Sequence, residues 1–325
     1  MRPMRLTIAA VLLALAALSA AEPALHYDCF RGAVAPTMDG VVTGDPGWAN
    51  IPGATGFHRL GADYTVAKQT TAYATWDDAN LYVGVVAEEP DISHLRPQAS
   101  DGGLCWVEDG VELWIQPRGR GPLQFGVTSA GARCTGEGGL GLQGWEAKAS
   151  HTADTYSVEV RFSFAFLGVT AMDGDVWHAN FCRNIFTTDS GGDKYTNWAP
   201  LAGRFLEPEN FPQLRFVAQA LTPQAAREAE VALNSAYREA LLAGLRALDT
   251  EAHEYGPIMD QAARDPRYRA AATPLRAAWE AAVSLQQEAA TASLSEARRI
   301  LSRADQLRID SYDLKYKVLL DQLFD

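Results

Sequence analysis

A change of composition near residue 221 constrains the fold more than any other feature of the sequence. Of 27 glycines only Gly244 and Gly256 follow Thr222, and all four cysteines and seven of eight tryptophans precede it. Beyond the break alanine is the commonest residue. Glycine serves turns, and alanine is the best helix former. One chain of 325 residues therefore joins a turn-rich part to a helical part, and its length suits two compact units.

The first part reads as β. Strands are predicted at Val66–Trp76, Leu81–Ala87, Val111–Gln116, Leu123–Thr128, Trp145–Ala149, Tyr156–Phe162, Trp177–Phe186 and Gln213–Val217. Gly, Asp and Pro separate these short runs, as in an all-β, antiparallel sandwich of jelly-roll or immunoglobulin-like type. No repeated βαβ spacing occurs, which argues against a parallel nucleotide-binding sheet.

The second part reads as an all-α antiparallel helical bundle with coiled-coil character. Thr222-Pro223, Asp265-Pro266 and Thr273-Pro274 look like helix starts, and Ser293-Leu294-Ser295-Glu296 is a capping box. Leu233, Tyr237, Leu241, Leu245 and Leu248 form one stripe, and Leu294, Ala297, Leu301, Ala304 and Leu307 form another.

Residues 1–21 combine Arg2 and Arg5 with an apolar run, Leu6–Leu18, and the small residues Ser19-Ala20-Ala21. This is the pattern of a cleaved signal peptide. The expected organisation is a leader at 1–21, a sandwich at 22–220 and a helical domain at 221–325. The expected location is outside the cytoplasm: periplasmic, cell-surface or extracellular. No membrane span is expected in the mature chain. With 28 Lys and Arg against 40 Asp and Glu, the net charge is −12. That argues against nucleic acid as a partner.

Export opens the question of disulfides. Cys29, Cys105, Cys134 and Cys182 contain no CxxC. If the hairpin Val111–Gln116/Leu123–Thr128 turns between Gly119 and Arg120, opposed residue numbers sum to 239, and Cys105 and Cys134 meet that sum. This predicts Cys105–Cys134 and leaves Cys29–Cys182. The alternative is four buried thiols.

Catalytic motifs are missing: GxSxG, HExxH, a P-loop and GxGxxG followed by a helix do not occur, and the six His lack ligand spacing. Glu88, Glu89, Asp91, Glu108, Asp109 and Glu112 cluster in sequence, as an acidic surface would. Glu112 stands apart, because it sits between Val111 and Leu113 inside a strand. Seven Trp in the first part belong mostly to a core, and an exposed one beside acids or amides would suit the apolar face of a sugar ring.

The order of segments resembles family 9 carbohydrate-binding modules, of the DOMON-like β-sandwich superfamily. The resemblance is carried by Pro36-Thr37-Met38-Asp39-Gly40 with Trp48; by Trp76-Asp77-Asp78-Ala79-Asn80-Leu81-Tyr82-Val83; and by Trp106 through Ile115. Further matches are Val158–Phe162 with Leu167-Gly168, then Asn180–Arg183, and finally Trp198 with Glu207-Pro208 and Phe211. It spans about 26–218 and leaves the helical tail outside. It implies a non-catalytic glycan-binding sandwich associated with polysaccharide binding or catabolism. Two aromatics clamp a sugar in such modules, here Trp106 and Phe205, and acids bind its hydroxyls, here Asp109 and Glu112. Gly126 stands where the family places an arginine, and Phe205 where it places Trp. Members can hold structural calcium; no EF-type loop occurs here.

The leading expectation is an exported, non-catalytic protein whose partner is a polysaccharide or oligosaccharide. The alternative is a structural or assembly protein of the cell envelope. Its sandwich would have no ligand, and residues 221–325 would self-associate through a stripe such as Leu294/Leu301/Leu307 or bind a protein partner. A haem-binding relative of the sandwich is a third, lesser reading.

Overall fold

The structure, a computed structural model, describes residues 25–62, 64–187, 193–289 and 293–324. The leader expected at 1–21 lies outside the described residues. The chain divides into two compact units at Ala226, each described by itself below.

Twelve strands form in the first unit among the described residues. They are β1 (His26–Phe30), β2 (His58–Arg59), β3 (Thr70–Trp76), β4 (Asn80–Glu88), β5 (Gly110–Gln116), β6 (Leu123–Thr128), β7 (Arg133–Thr135), β8 (Trp145–His151), β9 (Thr155–Ser163), β10 (Val176–Asn184), β11 (Tyr195–Asn197) and β12 (Gln213–Val217). One sheet runs β1-β12-β10-β5-β6-β7, with β11 on β10 and β2 on β11; the other runs β3-β4-β9-β8. All pairings are antiparallel except β1 with β12. The two sheets form a β-sandwich.

Alternation within the strands builds the interior. Leu113 opposes Phe125 on β6, and Phe125 meets Phe162 of the other sheet at 4.5 Å between ring centroids. Trp76 and Phe216 do the same at 5.5 Å. Offset and edge-on contacts of this kind are the favoured aromatic geometries. Among the described residues one ion pair lies wholly inside. Arg183 of β10 meets Glu89, just past β4, at 3.0 Å with neither side chain exposed, and Glu89 also takes Lys68 at 2.6 Å. Glu159 of β9 is enclosed too. Its carboxylate accepts the amides of Asp39 (3.0 Å) and Gly40 (2.7 Å) and the indole N–H of Trp48 (2.6 Å), pinning the loop after β1 onto the sheet.

The eight strands predicted from sequence all form. β1, β2, β7 and β11 are additions, each of five residues or fewer. The hairpin register differs by one from the expectation: Val111 faces Val127 and Glu112 faces Gly126, so opposed numbers sum to 238. The four cysteines carry free thiols, in place of the two disulfides expected. For Cys29 and Cys182 the geometry forbids a bond. Cys29 shares its face with Phe216, in the interior, whereas Cys182 packs with Trp114 on the outer face of the same sheet.

In the second unit, α3 (Ser235–Ala262), α4 (Arg269–Ala289) and α5 (Leu294–Phe324) share an apolar core. A short helical turn, α1 (Phe164–Leu167), belongs to the sandwich, and α2 (Pro223–Leu233) precedes α3. Thr222 caps α2 by accepting the Ala225 amide at 3.3 Å, and Ser293 caps α5 by accepting the Glu296 amide at 3.3 Å, as the sequence signals require. Thr273-Pro274 is a correction: Pro274 lies inside α4, where Thr273 donates its hydroxyl to the Arg269 carbonyl at 2.9 Å. Tyr237, Leu241, Leu245 and Leu248 of α3 meet Trp279 of α4 and Ile300, Ala304 and Leu307 of α5. Leu294 and Leu301 pack against that core as well, so the stripe expected to mediate self-association is used within the chain. Trp279 stacks on Tyr255 at 5.5 Å and 11° and donates its indole N–H to Ser311 at 2.9 Å. No helix among the described residues is long and apolar enough to cross a membrane.

Candidate functional site

The outer face of the larger sheet carries the chemistry. Strand pairing lays Cys134, Gly126, Glu112, Cys182 and Asn197 side by side in one row across β7, β6, β5, β10 and β11. Gln124 and Asn184 flank that row on the same face, because side chains alternate along a strand.

Glu112 is the centre of a polar floor. Its Oε1 accepts Asn184 Nδ2 at 2.9 Å and its Oε2 accepts Gln124 Nε2 at 2.8 Å. Only 4% of the residue is exposed. Burial raises the Glu112 carboxyl above its ordinary range, against the pull of the two amides. The Trp114 side chain, on the same face, also favours the charged carboxylate. Asn184 Oδ1 and Asn197 Oδ1 are buried and have no hydrogen-bond partner among the described residues. Buried polar atoms are nearly always paired, so orphaned acceptors call for an explanation.

Trp106 bounds this floor on one side. Of the seven tryptophans of the sandwich, Trp48, Trp76, Trp114, Trp145, Trp177 and Trp198 are buried, and Trp106 alone is partly exposed. It rides on the short turn Cys105–Val107. Glu108 anchors that turn by accepting the amides of Gln98 (2.9 Å) and Ala99 (2.6 Å). Cys105 anchors it from below, sharing a hydrogen bond with Cys134 that, with burial, raises its thiol pKa. Leu104 and Val107, on either side of Trp106, are exposed and give the turn an apolar rim.

Glycine at 126 has a structural reason. A Cβ there would lie 2.5 Å from Cys134 Sγ, 3.3 Å from Cys105 Cβ and 3.6 Å from Trp106 Cε3. The thiol pair and the indole occupy the space a side chain would need.

The other side is aromatic. Phe205 is 9% exposed and packs with Trp114, Cys182, Leu201 and Phe211. Tyr195, 41% exposed, meets Phe205 edge-on at 6.1 Å and Phe186 at 6.3 Å. With neighbouring strands about 4.8 Å apart, the Trp106 end at Gly126 and the Phe205 end at Cys182 stand roughly 10 Å apart, with Glu112 between them.

Of the expected ligand-binding residues, Trp106, Glu112 and Phe205 thus lie around one face. Asp109 does not share it. Its Oδ1 accepts the backbone amides of Phe186 (2.9 Å) and Thr187 (3.4 Å), and its charge interacts with Glu89 and Arg183 in the interior. Burial raises its pKa. Gln124, Asn184, Asn197 and Tyr195 were not singled out from sequence. The polar alternation Asn180, Cys182, Asn184 along β10 was the available signal. Among the described residues no group of three or more His, Cys, Asp or Glu is placed to hold a metal ion. Several aspartates instead close turns, as Asp77 does by accepting the amides of Ala79 and Asn80 at 2.8 Å.

No protein-family model matches the sequence, and no curated protein matches it. Among solved structures, the chain is similar to a family 9 carbohydrate-binding module of Caldicellulosiruptor kristjanssonii in complex with cellotriose. The identity is 20%, over 60% of this chain and 95% of that one, with a TM-score of 0.47. A family 9 carbohydrate-binding module of the same organism in complex with glucose gives 19%, 60%, 98% and 0.47. A putative carbohydrate-binding protein of Bacteroides uniformis ATCC 8492 gives 16%, 59%, 99% and 0.45.

Proposed function

We propose that the sandwich binds a saccharide on the outer face of its larger sheet, and that the protein is an exported, non-catalytic partner in polysaccharide binding or catabolism. One observation carries the reading. Glu112, with Gln124 and Asn184 bonded to it, sets carboxylate and amide acceptors together on one face, beside the indole of Trp106. A sugar presents hydroxyls that donate to such acceptors and a C–H face that packs on an aromatic ring. Tyr195 and Phe205 close the far side. Affinity is modest in this design, because hydroxyl bonds to the protein mostly replace bonds to water.

Hydrolysis fits less well. It calls for two carboxylates across a cleft, and Asp109, next in sequence to the site, is committed to backbone amides. Export and a catabolic role rest on the leader-like sequence at 1–21 and on the resemblance described above.

The test is titration of the full chain with a panel of gluco-, xylo- and manno-oligosaccharides, followed by calorimetry and by indole fluorescence. Trp106→Ala and Asn184→Ala are expected to weaken binding at least tenfold with the circular dichroism unchanged. Full affinity in Trp106→Ala would remove the site, and silence across the panel would remove the function. A second reading, an envelope assembly protein, is favoured by one observation, an exposed apolar face on α5.

A further inference from the structure

The outward side of α5 is apolar where a solvent-facing helix surface is ordinarily charged. The helix already contributes Ile300, Ala304, Leu307, Leu314 and Val318 to the buried cores of its unit. On its opposite side stand Ile309 (54% exposed), Tyr312 (51%), Tyr316 (44%), Leu319 (45%) and Leu323 (77%), with Leu320 (52%) beside them. The first five are spaced three, four, three and four residues apart. That is the repeat of a two-stranded coiled-coil seam. One and two heptads before Ile309 the same position holds Ser302 and Ser295, so the apolar seam begins at Ile309 and does not simply continue the helix's general composition.

We infer that this seam is a docking surface for a second copy of the same chain, pairing α5 with α5 in parallel about a two-fold axis. Area is the first argument. Six side chains of this size, about half exposed, leave on the order of 600 Å² of apolar surface open, at the upper end of what a monomer shows. Two copies burying it together reach about 1,200 Å², where stable interfaces begin. Charge is the second. Arg308 and Lys315 border one edge of the seam and Asp313 the other. In a parallel pair the basic edge of one helix lies against the acidic edge of its mate, Arg308 opposite Asp313; an antiparallel pair sets basic edge against basic edge. Arg308 and Lys315 also meet Glu251 at 2.7 Å and Glu254 at 3.5 Å on α3, which fixes that edge in place. The seam repeats its own pattern and so complements itself, as a two-fold interface must. It is independent of the saccharide reading and concerns different residues.

Sedimentation velocity of the full chain, without its leader, across micromolar concentrations tests it. The wild type is expected as a dimer, and Tyr316→Glu with Leu323→Glu as a monomer of unchanged helicity, the dissociation constant rising at least tenfold. Both positions are exposed, so the variant keeps its fold, and unchanged saccharide binding checks that the first unit is intact. A wild type that stays monomeric, or a double variant that stays dimeric, overturns the proposal. Leu323→Cys tests the orientation: a parallel pair brings the two new thiols together and cross-links under mild oxidation, whereas a dimer that fails to cross-link overturns the parallel arrangement.

Discussion

Gly126 lies so close beneath Cys134 that a methyl group on its α-carbon would stand 2.5 Å from the thiol sulfur. Two strands and the turn bearing Trp106 converge there. Gly126→Ala is expected to destabilise the sandwich by about 1–3 kcal/mol, the ordinary cost of overpacking. In a Cys134→Ala background the same change is expected to cost less, because the sulfur is gone. A double-mutant cycle by urea unfolding checks this; additive costs would show that the contact does not govern the site.

Glu112 titrates above its ordinary range because it is buried, so the folded chain holds that proton more tightly than the unfolded chain. Its contribution to stability is fully present below the unfolded pKa and is lost as pH rises through the raised folded value. Glu112→Gln cannot ionise and escapes this loss. Its stability relative to wild type is expected to improve from about pH 4.5 toward neutrality, read from urea unfolding at both ends, while saccharide affinity falls. A relative stability that declines with pH would contradict the burial argument. Asp109 and Glu159 are also raised by burial, but they are common to both proteins and cancel in the difference.

Breaking the enclosed pair is expected to be costly. Arg183→Met leaves Glu89 with Lys68 but strips a fully buried carboxylate of its guanidinium partner, at about 3–5 kcal/mol. Glu89→Gln with Arg183→Met together is expected to recover part of that loss. Equal losses in the single and double variants would mean that the pair itself is not what matters.

Ser311→Ala deprives the Trp279 indole N–H, fully buried, of its acceptor. The expected cost is about 1–3 kcal/mol, and it falls on the helical transition alone. Differential calorimetry that showed the loss in the sandwich transition instead would refute this.

Much of the fold was legible because its signals are local. Alternation in Tyr156–Phe162 and Leu123–Thr128, and the caps at Thr222 and Ser293, need only a few neighbours in sequence. The missed strands β1, β2, β7 and β11 are short, and they form because a distant edge offers hydrogen bonds, as β12 does for β1. The cysteines show the same division. Cys105 and Cys134 do come together, yet not as opposed hairpin residues: Cys134 lies one strand further out, opposite Gly126, and Cys105 reaches over it from a turn. The site was half legible. Glu112 was marked by its place inside a strand, and Trp106 and Phe205 by resemblance. Asn184, Asn197 and Tyr195 were hidden because they share a face with Glu112 only once β10, β5 and β11 have paired. Asp109 misled for the opposite reason: it stands three residues before Glu112, and that odd separation places it off the face that Glu112 occupies.

The parallel pairing of β1 with β12, His26 beside Gln213 and Phe30 beside Val217, has a consequence for the order of events as the chain is made. The first strand synthesised must wait for the last, with nearly the whole sandwich between them. Until then an edge that β12 will occupy stays open, and the interval is one in which a nascent chain is exposed to wrong partners. A ribosome pausing before residue 217 therefore holds a sheet without its closing strand, and protection from protease is expected to arrive in one late step as β12 emerges.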